Sequence, residues 1–322
     1  QHIVELKQPL KILNDLIAKS DYFPKVLRHS KLTMLPSRVI YSLSALPKIC
    51  EKLLYKSINE CKKEYYKIHP DTEQMAYEEN RGTASTNAIS LTNIERFKNK
   101  REQCFQVFID LKKAFNHTNR STALKEAQRI AGAGKIVHSW FSDRTFEFER
   151  VTNNFIANRG VLPGTLVGVF AFKMFINKDV SLTGLNKDIC WSACYSDDRS
   201  PIGSASDISS GVFQKALDES FNSMKSQKCY YHLEGKKKPK MMVFENFMTK
   251  VKADVKSIKL GDVDIDIVDK EKILGMHMAT KSSGPLSKSI INKYTYVLEP
   301  DISKFQNIAN NFYFVKMISI LQ

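Results

Sequence analysis

Three carboxylates at the ends of two apolar segments are the residues best suited to chemistry. Asp110 ends the short apolar run 104–109, and Asp197-Asp198 follow an alternating segment that ends at Tyr195. If these segments are neighbouring strands, their acidic groups converge at one edge of a sheet. Three carboxylates repel one another unless a cation binds them, and oxygen ligands suit Mg²⁺.

Such a cluster predicts a specific kind of reaction. Two Mg²⁺ ions held by carboxylates are the template for nucleotidyl transfer, because one activates the attacking hydroxyl and the other stabilises the leaving oxygen. A polymerase or a nuclease is the corresponding class of enzyme. An Asp-Asp pair in a turn is also a common structural feature, so the spacing alone leaves a purely structural interpretation open.

The overall charge favours a polyanionic partner. The 322 residues include 49 Lys and Arg against 34 Asp and Glu, a net charge of +15. Nucleic acid is the first candidate and an anionic membrane surface the second, with a solubilising basic surface as the alternative. A hydrophobic content of 43% excludes a disordered chain. No apolar run approaches the length of a membrane span, so we expect no membrane partner.

The cysteines and the N-terminus indicate an intracellular protein. The six cysteines are scattered without a C-x-x-C pair, which is typical of reduced thiols in a chain of this length. Cys190 and Cys194 lack a nearby His or Cys pair, which disfavours a metal site. The chain begins at Gln1 and shows no signal-peptide pattern. Because the first residue is not Met, we expect a fragment, a processed product or a beginning that lies upstream of this sequence.

Periodicity and breaker residues predict an α+β chain. Helices are predicted over residues 1–20, 47–64, 83–98, 121–131, 165–177 and 208–227. Strands are predicted over residues 104–110, 189–195, 240–246 and, as short pieces, 256–278. A polar hairpin is predicted over 144–157, and the tail from 287 is predicted to be helical.

A collinear series of motifs over about residues 20–280 resembles reverse transcriptases of the LINE (non-LTR retrotransposon) type. Residues 107–116 resemble F-x-D-L-x-K-A-F-D. Residues 159–165 resemble G-V-P-Q-G-S, and residues 172–177 follow in register and resemble F-x-x-Y-I-N-D. Residues 195–198, Tyr-Ser-Asp-Asp, resemble Y/F-A-D-D. Residues 236–244 resemble K-T-x-x-M-x-F and 273–276 resemble L-G-V. Upstream, residues 48–54 resemble K-I-x-E-K-L-L, and 74–89 resemble Q-x-x-F-R…S-T-x-x-I. Each motif alone is unspecific, and their order carries the resemblance.

The resemblance implies a right-hand polymerase fold with fingers, a palm of antiparallel sheet plus helices, and a short helical thumb. The implied boundaries are 1–100 for the N-terminal helix and fingers and 101–283 for the palm, with a fingers insertion at about 120–160. Residues 284–322 would be a partial thumb. It further implies that Asp110, Asp197 and Asp198 are catalytic and bind two Mg²⁺ ions.

The resemblance also implies roles for other residues. The nucleotide-binding residues would be Leu111, whose carbonyl would be a further metal ligand, Phe115 beneath the sugar, Gly164 and Lys238. RNA template and DNA primer would be bound by Arg38, Arg81, Lys236, Lys237 and Lys240. The alternatives are that Phe115 is a core aromatic, Gly164 a turn glycine and residues 236–240 a solvated run of charge.

Several residues depart from the motifs. Leu162-Pro163 replaces Pro-Gln, Asn116 replaces an aspartate, Glu78 replaces an arginine, Pro239 replaces a threonine, and Pro201 interrupts a strand expected to be apolar. The retained carboxylates favour activity, whereas these changes around them argue against it.

Two main hypotheses remain, beside an RNA-dependent RNA polymerase and an unrelated fold. The first is an RNA-directed DNA polymerase of a non-LTR retroelement, acting on dNTP in the nucleus or cytoplasm. The second is a catalytically decayed, reverse-transcriptase-derived subunit that binds RNA in a ribonucleoprotein such as a ribosome, for which a mitochondrial location is open.

Overall fold

The computed structural model describes residues 2–35, 38–68, 74–79, 81–148, 151–153, 159–182, 191–245 and 248–280. The chain divides into two units, residues 1–278 and 279–322. Nearly all of the second unit lies outside the described residues, and with it the predicted helical tail and thumb. The predicted domain boundaries stay predictions.

The described elements alternate helices and short strands. The helices are α1 (His2–Ser20), α2 (Ala45–Ile68), α3 (Thr83–Asn99), α4 (Ala114–His117), α5 (Arg120–Ala131), α6 (Gly134–Phe141), α7 (Leu166–Leu182), α8 (Ala205–Ser209) and α9 (Val212–Ser226). The strands are β1 (His29–Leu35), β2 (Arg38–Ser42), β3 (Cys104–Asp110), β4 (Thr145–Phe148), β5 (Val151–Asn153), β6 (Trp191–Tyr195), β7 (Asp198–Ser204), β8 (Lys240–Phe244), β9 (Lys259–Leu260), β10 (Val263–Asp264), β11 (Asp266–Ile267), β12 (Lys270–Ile273) and β13 (Met276–Ala279).

A five-stranded sheet in the order β11-β8-β3-β7-β6 forms the centre of the first unit. β3 is its middle strand and is antiparallel to both β7 and β8. Successive β3 side chains face opposite layers, as the period of a strand requires. Phe105 packs edge-on against Phe213 of α9 at 4.6 Å between ring centroids, whereas the Gln106 amide donates to Ser90 of α3. Helices therefore cover both faces of β3.

A second sheet has the order β2-β1-β4-β5. β1 is antiparallel to β2 and parallel to β4. The sequence analysis assigned no strand to β1 or β2. Most of β1 is exposed or half-buried, with only Ser30 fully buried, so the alternating apolar pattern that reveals a strand is absent.

Most predicted elements are confirmed, and two further differences concern helices. The bounds of β3 match the prediction, and α1, α3 and α5 agree within two residues. The helix predicted over 208–227 is instead α8 and α9, because Gly211 between them adopts a φ of +72° that ends a helix. The short helix α6 was not predicted. Within the part of the chain that the structure describes, no helix has the length and apolarity needed to cross a membrane.

Candidate active site

The register of the central sheet brings the three predicted carboxylates to one edge. Asp110, the last residue of β3, lies directly opposite Asp198, the first residue of β7. Asp197 precedes Asp198 in the turn that joins β6 to β7. We call these three residues the acidic edge. The sequence analysis expected this convergence if β3 and β6 were neighbours, but β7 lies between them. Asp198 therefore reaches the edge as the first residue of β7, and Asp197 reaches it through the turn from β6.

The turn that carries Asp197 is tight. Tyr195 pairs with Asp198, which leaves Ser196 and Asp197 as the two turn residues. Ser196 has a φ of +60°, and a positive φ at the first turn position only is the pattern of a type II′ turn. Such turns match the twist of the strands that they connect. The hairpin thereby projects Asp197 beyond the end of the sheet.

Residues 230–232 form hydrogen bonds with the chain at the end of β3 and fix the backbone at Asp110. The His232 amide donates to the Asp110 carbonyl at 2.9 Å, and the Lys112 amide donates to the Tyr230 carbonyl at 2.7 Å. Leu111 forms an isolated β-bridge with Tyr231. These contacts hold the chain in place as it leaves β3, so Asp110 sits on a rigid support.

The carboxylates of the acidic edge repel one another. Burial and repulsion from Asp110 raise the pKa of Asp197. Desolvation, together with repulsion from Asp197 and then Asp110, raises the pKa of Asp198 to about 6. The Asp198 side chain nevertheless keeps contact with solvent. A cation at this edge would relieve the repulsion.

Lys237 supplies a positive charge to the acidic edge. Its ammonium forms an ion pair with the Asp110 carboxylate, and the Lys237 side chain is 62% exposed while that of Asp110 is 17% exposed. The hydrogen bond to Asp110 raises the pKa of Lys237. Lys237 belongs to a short 3₁₀ turn, Gly235–Lys237, that precedes β8.

The acidic edge fits Mg²⁺ in its chemistry, because three mutually repelling carboxylates offer the oxygen ligands that this ion prefers. Within the described ranges, however, no three His, Cys, Asp or Glu side chains are arranged to hold a metal ion. Asp110 is turned to Lys237 instead. A metal at this edge would have to replace Lys237 as the partner of Asp110.

The strand after Asp198 forms despite its unusual sequence. The β3–β7 register is the same on both sides of Pro201, from Ile109–Arg199 to Gln106–Ile202. Arg199 is buried, and its guanidinium donates to the hydroxyls of Ser220 and Tyr231 at 2.8 and 3.1 Å. These two hydroxyls are hydrogen-bond partners of a charged side chain at a position where an apolar residue was expected.

The predicted nucleotide-binding residues occupy different surroundings. Phe115 is half-buried and stacks on Phe172 with ring centroids 4.3 Å apart. Gly164 has a φ of +93°, and a Cβ there would lie 2.9 Å from the Tyr41 carbonyl oxygen. The close approach of β2 therefore accounts for the glycine. Leu111 is 2% exposed, so its side chain belongs to the core.

A buried glutamate positions the start of α7, directly after Gly164. Glu51 of α2 is 2% exposed and accepts from the Val167 amide at 3.0 Å. Burial raises the pKa of Glu51, and backbone donors at the start of α7 oppose the shift. Glu51 is the acidic residue of the K-I-x-E-K-L-L resemblance, which indicates a reason for that motif.

The predicted basic residues have different local partners. Lys238 pairs with Asp266 at 2.6 Å and Lys240 pairs with Glu271 at 2.7 Å, whereas Lys236 is exposed. The structure thus brings Lys237 rather than Lys238 to the acidic edge. Arg81 is exposed and donates to the Met75 sulfur. Arg38 begins β2, and its side chain lies outside the described residues.

Glu78, the charge reversal noted in the sequence, is an ion-pair partner. Its carboxylate accepts from Lys62 at 2.9 Å and also pairs with Lys173. The two lysine side chains are 2% and 5% exposed. We call Lys62 and Lys173 the lysine pair. An arginine at position 78 would add a third buried cation, so the glutamate suits this environment.

Sequence reasoning missed the residues that hold the Asp197 turn. The segment 74–79, upstream of α3, lies against this turn, and the Met75 amide donates to the Cys194 carbonyl at 2.8 Å. Gln74 is the first residue of the Q-x-x-F-R resemblance. A polar residue fixed at the start of a motif was a signal that could have been used.

The structure also resembles solved structures. Apo telomerase from Candida tropicalis, truncated from its C-terminal domain, aligns with a TM-score of 0.53 at 12% identity, covering 84% of this chain and 59% of that one. Apo telomerase from Candida tropicalis aligns with a TM-score of 0.52 at 13% identity, covering 84% and 52%. No protein-family profile and no curated protein matches the chain.

This likeness shows a reverse-transcriptase-like polymerase fold. At 12% and 13% identity the likeness is one of fold. The chain spans a little over half the length of these two telomerases.

Proposed function

We propose that this chain is an RNA-directed DNA polymerase of the non-LTR retroelement type. The observation that carries the proposal is the register that sets Asp110 opposite Asp198, with Asp197 in the adjoining turn. Three carboxylates at one sheet edge, in a reverse-transcriptase-like fold, are suited to nucleotidyl transfer. The net charge of +15 supports RNA and DNA as partners.

In this proposal, Asp110, Asp197 and Asp198 would hold two Mg²⁺ ions, with the Leu111 carbonyl as a further ligand. When bound, the ions supply activation of the primer hydroxyl and stabilisation of the phosphate charge. Lys237 would leave Asp110 on metal binding. Its ammonium would then be available to the triphosphate of the incoming dNTP, the role that the sequence analysis gave to Lys238.

Other residues of the chain would orient the substrate. Phe115, held flat against Phe172, presents a rigid aromatic edge that suits the exclusion of a 2′-hydroxyl. Glu51 would fix the start of α7 and thus the loop that contains Gly164. The central sheet would be the palm, the preceding residues with β1 and β2 the fingers, and residues beyond 283 the thumb.

The Asp110–Lys237 ion pair favours a second candidate function. An internal ammonium that already neutralises Asp110 is what a protein without catalytic metal needs. A decayed, reverse-transcriptase-derived subunit that binds RNA within a ribonucleoprotein would keep the basic surface without the chemistry. A retroelement enzyme would act in the nucleus or cytoplasm, whereas such a subunit could reside in a mitochondrion.

Primer extension on an RNA template separates the two functions. The wild-type chain is incubated with Mg²⁺, dNTPs and a DNA primer beside the double variant Asp197→Asn/Asp198→Asn. The polymerase proposal expects extension that the variant loses by about a thousandfold, because the metal site supplies several kcal/mol of transition-state stabilisation. No extension from either protein, with salt-sensitive RNA binding in both, would support the RNA-binding subunit.

A further inference from the structure

A short segment far upstream in the sequence is built onto the turn that carries Asp197. Gln74 is 2% exposed. Its side-chain amide donates to the Ser196 carbonyl at 3.0 Å, and its side-chain oxygen accepts from the Ser196 amide at 2.9 Å. Both backbone groups of the first turn residue are thus held by one side chain.

The segment adds three further contacts. The side-chain oxygen of Gln74 also accepts from the Ala76 amide at 3.0 Å, which fixes the side chain in its own loop. The Met75 amide donates to the Cys194 carbonyl at 2.8 Å, and Tyr77 and Ser196 share a hydroxyl–hydroxyl hydrogen bond of 2.8 Å. Gln74 and Cys194 form a parallel β-bridge, so the segment lies beside β6 as a short additional strand.

The turn needs this support because its backbone is unfavourable without it. Ser196 adopts a φ of +60°, which a residue with a Cβ rarely adopts without compensating contacts. The adjoining carboxylates repel each other, and that repulsion favours any opening that moves Asp197 away from Asp110. Hydrogen bonds from a buried side chain to both backbone groups of Ser196 oppose such an opening.

We propose that Gln74 is a positioning residue for Asp197, holding the β6–β7 turn in the conformation that keeps the carboxylates at one edge. Gln74 touches neither the carboxylates nor a substrate and acts through the backbone of Ser196. The catalytic part of this inference rests on the proposed polymerase function, whereas the structural part does not.

The test compares two buried glutamines of the same region. Gln74→Met removes the hydrogen bonds to Ser196 but keeps the volume of an unbranched side chain. Gln106→Met is the matched control, because Gln106 is 0% exposed in β3 and its amide donates to Ser90, away from the turn. A third variant, Gln74→Glu, keeps an oxygen that can accept from Ser196 but cannot donate.

Amide hydrogen exchange of a peptide covering residues 195–199 is the first measurement, and it needs neither metal nor substrate. We expect exchange at least tenfold faster in Gln74→Met, an intermediate effect in Gln74→Glu, and wild-type exchange in Gln106→Met. Equal exchange in Gln74→Met and Gln106→Met would overturn the proposal, whatever the activity of the protein.

Primer extension is the second measurement. In Gln74→Met we expect kcat to fall about tenfold with little change in the KM for dNTP, because the metal ligands lose their alignment while the nucleotide contacts remain. A variant with a mobile turn and a wild-type kcat would overturn the positioning role. If the wild-type chain itself extends no primer, the proposed function fails, and the exchange data still decide whether Gln74 holds the turn.

Discussion

Two regions of the molecule concentrate like charge, with opposite signs and different access to solvent. At the acidic edge, three carboxylates share the ammonium of Lys237, whose side chain is 62% exposed. In the lysine pair, two ammonium groups that are 2% and 5% exposed share the carboxylate of Glu78. The ammonium group of the first region is open to solvent, whereas the two ammonium groups of the second are buried.

This difference separates a candidate site from a structural feature. A charge cluster that is open to solvent can bind and release a mobile ion, which is what a metal-dependent reaction requires. A closed cluster must be balanced within the protein, and breaking that balance is costly. We therefore expect changes in the lysine pair to affect stability, and changes at the acidic edge to affect metal binding and activity.

The largest effect is expected from Glu78→Gln. The substitution keeps the shape of the side chain but leaves Lys62 and Lys173 without the carboxylate that they share. We expect a loss of about 3 kcal/mol in the free energy of unfolding, measured by urea denaturation, because buried cations are left uncompensated. In the control Glu79→Gln, whose pair with Lys63 is exposed, no measurable change is expected. Equal stability of the two variants would contradict the distinction.

The pH dependence of stability should have opposite signs in the two regions. Burial, followed by repulsion from Lys63 and Arg81, lowers the pKa of Lys62 to about 8. Between pH 8 and pH 10 the native state therefore binds fewer protons than the unfolded state, and stability rises with pH. Lys62→Met should abolish a rise of about 2–3 kcal/mol over that window.

Lys56→Met is the matched control for the pH experiment, because Lys56 is an exposed residue of the same helix, α2, and is not among the charges that lower the pKa of Lys62. Urea denaturation at several pH values between 7.5 and 10 gives the slopes. A slope that is the same in Lys62→Met and in Lys56→Met would show that Lys62 titrates normally.

The acidic edge should become more stable when it loses a charge. The pKa of Asp198, raised to about 6, means that the native state binds more protons than the unfolded state between about pH 4 and pH 6. Stability through this group therefore falls as pH rises across that window. In metal-free buffer we expect Asp198→Asn to be more stable than the wild type by about 1 kcal/mol at pH 7, after allowance for solvent screening.

That gain should shrink as the pH falls to 4, because the wild-type carboxyl is then protonated in the native state and partly protonated in the unfolded state. Thermal unfolding in EDTA at pH 4 and pH 7 measures it. If Asp198→Asn is less stable than the wild type by the same amount at pH 7 and at pH 4, Asp198 contributes structural hydrogen bonds rather than repulsion.

Much of the acidic edge could be predicted from the sequence, and much of its surroundings could not. β3 was predicted with its bounds because a central strand is apolar on both faces and ends at Asp110. The motif order then indicated that Asp197 and Asp198 belong beside it. Gln74 escaped prediction because its partner, Ser196, is 122 residues away in the sequence, and no local pattern encodes such a contact.

The sequence also did not reveal which of the neighbouring Lys237 and Lys238 faces the acidic edge. The K-T-x-x-M-x-F resemblance indicated Lys238 for the nucleotide, whereas the 3₁₀ turn at Gly235–Lys237 directs Lys237 to Asp110. Lys238 pairs with Asp266 instead. Which of two adjacent side chains faces a site depends on a single turn, and the sequence pattern did not reveal that turn.

The smallest expected effect tests whether Lys237 and a metal ion compete for the acidic edge. In Lys237→Met the ammonium is absent, so a divalent cation no longer has to displace it from Asp110. We expect the affinity for Mn²⁺, used as a spectroscopic substitute for Mg²⁺, to rise three- to fivefold, or just under 1 kcal/mol, since the pair is largely exposed. Lys238→Met, which removes a neighbouring ammonium bound to Asp266, should leave the affinity unchanged. Weaker binding in Lys237→Met than in Lys238→Met would instead show that Lys237 orients Asp110 for the metal. The ion pair at the acidic edge would then have a structural role, as the one in the lysine pair has, and the distinction between the open and the closed cluster would fail.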